Sequence, residues 1–250
     1  MCNFFSFVTD PVNHPAEYYF LDWEYRKADL DDEGVDSHSH ICKEFNLCED
    51  VCNKYEFNPL TKAFTVDQIN SNRDDSEAAE KWANRQDFKK IVEPLIIKPI
   101  DKPFELPKVE QVTDEQIGWL KSWASVRVSV WNSVRASVRA SVGNSVWNSV
   151  GASVWASVGD LVGSSVRNLV GNSVWNSVGA SIWDSVWNSV EALVGAYVSS
   201  FFAINYKYNF SSVANLWNAG LVPSFDGKVW RLHSGKSADI VYEWTPEVQE

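Results

Sequence analysis

Sulfur is scarce in this chain: 250 residues hold one methionine and four cysteines. Long apolar runs are missing as well. Ser, Asn or Arg interrupts the apolar residues every few positions, so no stretch approaches the ~18 residues of a membrane-spanning helix. The first fifteen residues, MCNFFSFVTDPVNHP, have no basic n-region and no small-residue cleavage site, and no signal peptide is visible. Without a secretion signal the cysteines are expected as reduced thiols in a cytoplasm. Basic residues are few at the front. Residues 1–120 carry 13 against 25 acidic ones, while residues 121–250 carry 9 against 8. A surface that acidic repels phosphate, which argues against nucleic-acid binding by residues 1–120 and leaves a solvated acidic face. No glycine-rich phosphate loop, nucleophile elbow or His-Glu metal helix occurs.

What is present divides into four stretches. In residues 1–93, CNFFSFV and EYYFLDWEY suggest strands, and Asp36 or Ser37 can cap a short helix carrying Ile41 and Phe45. KYEF and AFTVDQI suggest two more strands around the turn NPLTK, and Asp74 or Asp75 starts a helix to about Val92. The expectation is an acidic α+β domain. Residues 94–124 form a Pro-rich connector, with Pro94, Pro99, Pro103 and Pro107 in fourteen residues. Residues 201–250 read as a strand, a helix over SSVANLWNAG ending at Gly220, and a hairpin turning at Asp226 and Gly227.

Between them, residues 125–200 are nineteen tetrads without an insertion. The second place is Val in all but one, Ile182, and the first is Ser in fifteen. The third is Gly in seven, Trp in six and Arg in four. On an α-helix four residues advance about 400°, so the Val stripe drifts about 40° per tetrad and circles the helix. Loops between shorter helices should break the register, and it never breaks. A β-solenoid meets neither objection, with each tetrad one side of a coil, Val inward, Ser and the third residue outward, and the fourth at the corner. The expected fold is therefore an α+β head, a tetrapeptide β-solenoid and a small α+β cap, with stacked helices or a low-complexity tract as alternatives.

SVRASVRASVGNSVWNSV, SIWDSVWNSV, NKYEFNPLTKAFTVDQI and GLVPSFDGKVWRLHSG resemble the tetrapeptide-repeat proteins of bacteriophage and gut-metagenome sequence, which are pentapeptide-repeat-like. That resemblance implies a bacterial host cell and supplies no activity. Pentapeptide-repeat proteins build square right-handed solenoids, and some acidic ones imitate DNA to inhibit topoisomerase. This chain departs from them in its period and in having few acidic residues on the repeat.

Several residues invite chemistry. His38, His40, Cys42, Cys48 and Cys52 lie within fifteen residues, but their spacing fits no familiar zinc knuckle and buried thiols are the plainer expectation. Cys2 would be N-terminal after loss of Met1, as in N-terminal-nucleophile amidotransferases, but CNFFSF lacks their following small residue. Glu56 and Asp67 could be paired carboxylates, though chance pairs are common in an acidic region. The strongest signal is the third tetrad place. If it faces outward, Trp131, Trp147, Trp155, Arg167, Trp175, Trp183 and Trp187 form a binding face for a partner protein, a second copy or a nucleotide base. The expected function is a non-enzymatic interaction protein needing no cofactor; the alternative is a small enzyme or topoisomerase inhibitor seated in residues 1–93.

Overall fold

A computed structural model describes residues 4–29, 36–126, 130–156, 158, 162, 185 and 187–246. One three-stranded antiparallel sheet joins β1 (Phe5–Thr9), β2 (Asn53–Asn58) and β3 (Ala63–Gln68) in that order. A second joins β4 (Val222–Phe225), β5 (Trp230–Ser234) and β6 (Asp239–Trp244). The chain divides into two compact units. One comprises Met1–Pro99, Arg135–Val150 and Phe201–Ile204; the other comprises Ile100–Val134, Gly151–Ser200 and Asn205–Glu250.

In the first unit the central strand β2 is buried along its whole length. Alternation sends Tyr55 and Phe57 to a face shared with Phe5, Phe7 and Phe88, where Phe7 meets Tyr55 at 5.3 Å and Phe57 meets Phe88 at 5.6 Å. Trp82, on α3 (Ser76–Ala83), completes this layer by stacking on Tyr18 at 4.4 Å. Val8 belongs to a separate apolar cluster with Leu21, Ile41, Cys42 and Cys52. Ile41 and Cys42 come from α2 (His38–Glu44), whose first turn is capped by the Ser37 hydroxyl accepting from the His40 N–H.

Some local expectations shift. The stretch 17–25 supplies only an isolated bridge from Tyr19 to Val8, because Asp22 accepts from the Tyr25 N–H and starts α1 (Trp23–Arg26) instead. The helix from Asp75 stops at Ala83, well short of Val92. There the Gln86 side-chain amide and the Arg85 N–H donate to the Trp82 carbonyl, and the Gln86 N–H, which a longer helix would send to Trp82, goes to Ala83 instead.

The β-solenoid is overturned. Among the described residues of the tetrad tract no strand occurs; α5 (Val130–Val142), α6 (Asn144–Trp155) and residues 187–199 (α7) are helical. The drift of the Val stripe was real but short-lived. Val134, Val138 and Val142 rotate through about 80° along α5, and Val146, Val150 and Val154 do the same along α6. Both spans fit inside the ~100° apolar stripe of a surface helix, and all six valines are buried. The phase is then reset at Gly143, which adopts φ +87° and ends α5 one residue before α6 begins. Because that joint is itself the third residue of a tetrad, two helices meet without an insertion. Serine is a weak helix former, yet in α7 the Ser199 hydroxyl donates back to the Ala196 carbonyl at 2.5 Å, so it leaves no unsatisfied group.

Nor do residues 201–250 cap a rod. Residues 201–210 contribute one bridge, Phe202 to Leu95. Beyond them α8 (Ser211–Asn218) packs on α4 (Asp114–Val126), and β4 to β6 form the second sheet. Helix α4 opens on a reciprocal cap, with the Thr113 hydroxyl accepting from the Gln116 N–H and the Gln116 side chain accepting from the Thr113 N–H.

Candidate functional site

The second unit contains a cleft of about 440 Å³ lined by Trp123, Ser185, Asn188, Ser189, Ala192, Phe225, Gly227 and Trp230. Its helical wall follows from the tetrad. Ser185, Asn188, Ser189 and Ala192 stand at i, i+3, i+4 and i+7, so first and fourth tetrad places that a solenoid would scatter share one helix face. The opposite wall is the β4–β5 hairpin, where Phe225 and Trp230 pair across the strands with ring centroids 4.9 Å apart. Gly227 takes φ +99° in the turn, and a Cβ there would meet the Ser185 hydroxyl at 3.7 Å. The Phe225 N–H donates to Ser189 Oγ at 3.1 Å and ties the two walls together.

Trp123, also in the lining, is 1% exposed, and its indole N–H finds no acceptor among the described residues. A buried donor left so costs about 1–3 kcal/mol. None of the described lining residues is charged. Beside the hairpin turn, Asp226 accepts from Arg231, and Arg231 also donates to Glu243 at 2.8 Å. Although burial opposes it, hydrogen bonds from the Asn-free turn itself, through the Val229 and Lys228 N–H groups, and from Arg231 hold the Asp226 carboxyl below its usual range. These charges satisfy one another.

The Trp and Arg positions expected to form one face meet different fates. Trp147 is 3% exposed, and it is core rather than surface. Trp155 and Trp187 are half-buried and meet at 4.5 Å, with the Trp187 indole donating to Glu191 at 3.1 Å. The side chain of Trp131, and Arg167, Trp175 and Trp183 altogether, lie outside the described residues. The cleft residues were not in that expected face. Their signal was the helical spacing of the Ser and Asn places, which a four-sided coil conceals.

Of the titratable groups singled out in the first unit, Cys42 and Cys52 share one cluster, whereas the two histidines have different partners. His38 Nε2 lies 3.0 Å from the Tyr55 carbonyl and its Nδ1 3.4 Å from Asp67, whereas His40 Nε2 faces the Tyr25 hydroxyl at 3.0 Å. Among the described residues no group of three or more His, Cys, Asp or Glu is placed to hold a metal ion. Glu56 is buried in β2, and Cys2 lies outside the described residues. Asp75 gathers the Tyr55 hydroxyl at 2.6 Å and the Asn53 amide at 2.8 Å on one oxygen.

A serine and histidine that the sequence did not single out do touch. Ser224 Oγ and His233 Nε2 are 2.7 Å apart across β4 and β5, and His233 Nδ1 is 3.0 Å from the Ala238 carbonyl. That carbonyl can only accept, so Nδ1 carries the proton and Ser224 donates to Nε2. The pairing matches a nucleophile and its base. Both residues are wholly buried, however, and burial pushes His233 down to about 4, so the pair holds the hairpin together. No helix among the described residues is long and apolar enough to cross a membrane. No protein-family model, curated protein or solved structure matches the chain.

Proposed function

We propose that this is an interaction protein whose second unit takes an uncharged, flat side chain of a partner protein, an aromatic ring with a nearby amide, in the cleft between α7 and the β4–β5 hairpin. The observation that carries this is the composition of the walls: three aromatic rings with a strip of Ser and Asn, and no charge among the described lining residues. Aromatic walls favour a flat apolar guest, and hydroxyl and amide groups fix its orientation. The proposed setting is the cytoplasm of a bacterial host, in keeping with the phage-repeat resemblance and with the three described cysteines being free.

The test is titration of 15N-labelled protein with N-acetyl-tyrosinamide. The Trp123 indole and Asn188 amide signals should shift saturably. Asn188→Asp, which places a charge in the cleft, should weaken binding by about tenfold, the equivalent of 1.4 kcal/mol. Unmoved cleft signals at millimolar probe, or equal affinity in Asn188→Asp, would remove the cleft from the function.

A further inference from the structure

Cys42 and Cys52 are buried and Cys48 is exposed, all three as free thiols. Cys42 sits near the end of α2 and Cys52 just before β2, and both join the apolar cluster around Val8, Leu21 and Ile41. Within that cluster each thiol affects the ionisation of the other. The chain between them turns back on itself, with the Leu47 N–H donating to the Cys42 carbonyl at 2.8 Å and Asn46 in the left-handed region at φ +53°. Cys48 follows at once, at the start of the 3-10 turn Glu49–Val51, and makes no side-chain capping bond there.

We propose that Cys42, Cys48 and Cys52 form a thiol-exchange site in which exposed Cys48 reacts with a low-molecular-weight disulfide and passes the oxidation inward, leaving a Cys42–Cys52 disulfide. In the first step the Cys48 thiolate attacks one sulfur of the external disulfide, forming a mixed disulfide and releasing one thiolate. Cys52 then displaces the second external thiol from Cys48, giving a Cys48–Cys52 bond. Cys42 finally attacks Cys52 and returns Cys48 to a thiol. The balance is one external disulfide reduced to two thiols and the Cys42–Cys52 pair oxidised by two electrons, its two protons going to the released thiolates.

An outer thiol is needed for two physical reasons. Cys42 and Cys52 are 2% and 0% exposed, so a bulky disulfide cannot reach them directly. Burial also raises both thiols, Cys52 to about 12, which keeps the attacking thiolate scarce. Once the oxidising equivalent sits on Cys48 within the same short loop, the inward steps are intramolecular and gain effective concentration.

The experiment treats the full chain, as Cys2→Ser to remove the remaining thiol, with glutathione disulfide, followed by alkylation and peptide mapping by mass spectrometry. The expected product carries a Cys42–Cys52 disulfide and an alkylated Cys48. Cys48→Ser, a change at an exposed position, should slow its formation by about tenfold or more. Cys52→Ser should stall with glutathione on Cys48. Oxidation of Cys48→Ser at the parent rate, or a parent protein that stops as a Cys48 adduct with both buried thiols alkylatable after denaturation, would overturn the proposal.

Discussion

The tetrad helices and the two sheets bury their apolar residues by opposite means. In α5 and α6 one residue type at one spacing makes the buried stripe, and the helices end before the stripe turns toward solvent. In the sheets burial differs from strand to strand: β1, β2 and β4 are buried along their whole length, while β3 beside β2 is largely exposed and shows Val66 at 42% exposure. A repeat therefore places its core by counting. The hairpins place theirs by which neighbour covers each face, and a valine means less there than its position does.

The sharpest way to break this contrast is to put the same charge into both. Val150→Asp buries an unpaired carboxylate in α6 and should cost about 4 kcal/mol or more, whereas Val66→Asp on β3 should cost about 0.5 kcal/mol. Equal losses in denaturant melts would mean that the stripe does not carry the core. The next effect tests the second sheet through pH. His233 is held neutral, at about 4 in the fold against an unfolded value near 6.5. The unfolded chain therefore binds the extra proton first as pH falls. Stability should be full above about pH 6.5, decline by about 3 kcal/mol as pH falls to about 4, and decline no further from this group below that. Urea unfolding across that window should show a shallower slope in His233→Gln than in the parent.

The smallest effect separates two glycines of identical tetrad position. Gly143→Ala places a side chain at φ +87° and should destabilise by about 1–2 kcal/mol. Gly151 lies inside α6 with nothing within 4 Å of an added Cβ, so Gly151→Ala should stabilise by up to about 1 kcal/mol. Changes of the same sign in thermal melts would show that position in the tetrad, and not backbone conformation, decides a glycine's role.

What could be read beforehand follows the same division. Strands β2 and β3, the Ser37 cap, the helix before Gly220 and the turn at Asp226 and Gly227 are written in local chemistry, and each stands where its residues place it. The burial of the tetrad valines was legible too, since the coil expected there also turned Val inward. Helix rather than coil was not legible, because the deciding fact is a one-residue joint at Gly143 that leaves no trace in the spacing. The outward placing fails at Trp147, which is turned inward, while Ser185, Asn188 and Ser189 come together as a wall. Strand β6 and the Ser224–His233 contact were missed because their partners lie across a hairpin, where sequence proximity says little about facing direction.

Gly143 also bears on how such a chain can change over generations. The third tetrad place holds Gly, Trp or Arg in seventeen of nineteen tetrads. The single tryptophan codon is one base away from a glycine codon and from arginine codons. A point change at that base can thus exchange a ring on a helix surface for a residue that tolerates a joint, while every valine keeps its frame. Gly151 lies inside a helix, so glycine permits a joint without imposing one. Helix boundaries in this tract are open to revision by single nucleotides, without insertion or deletion.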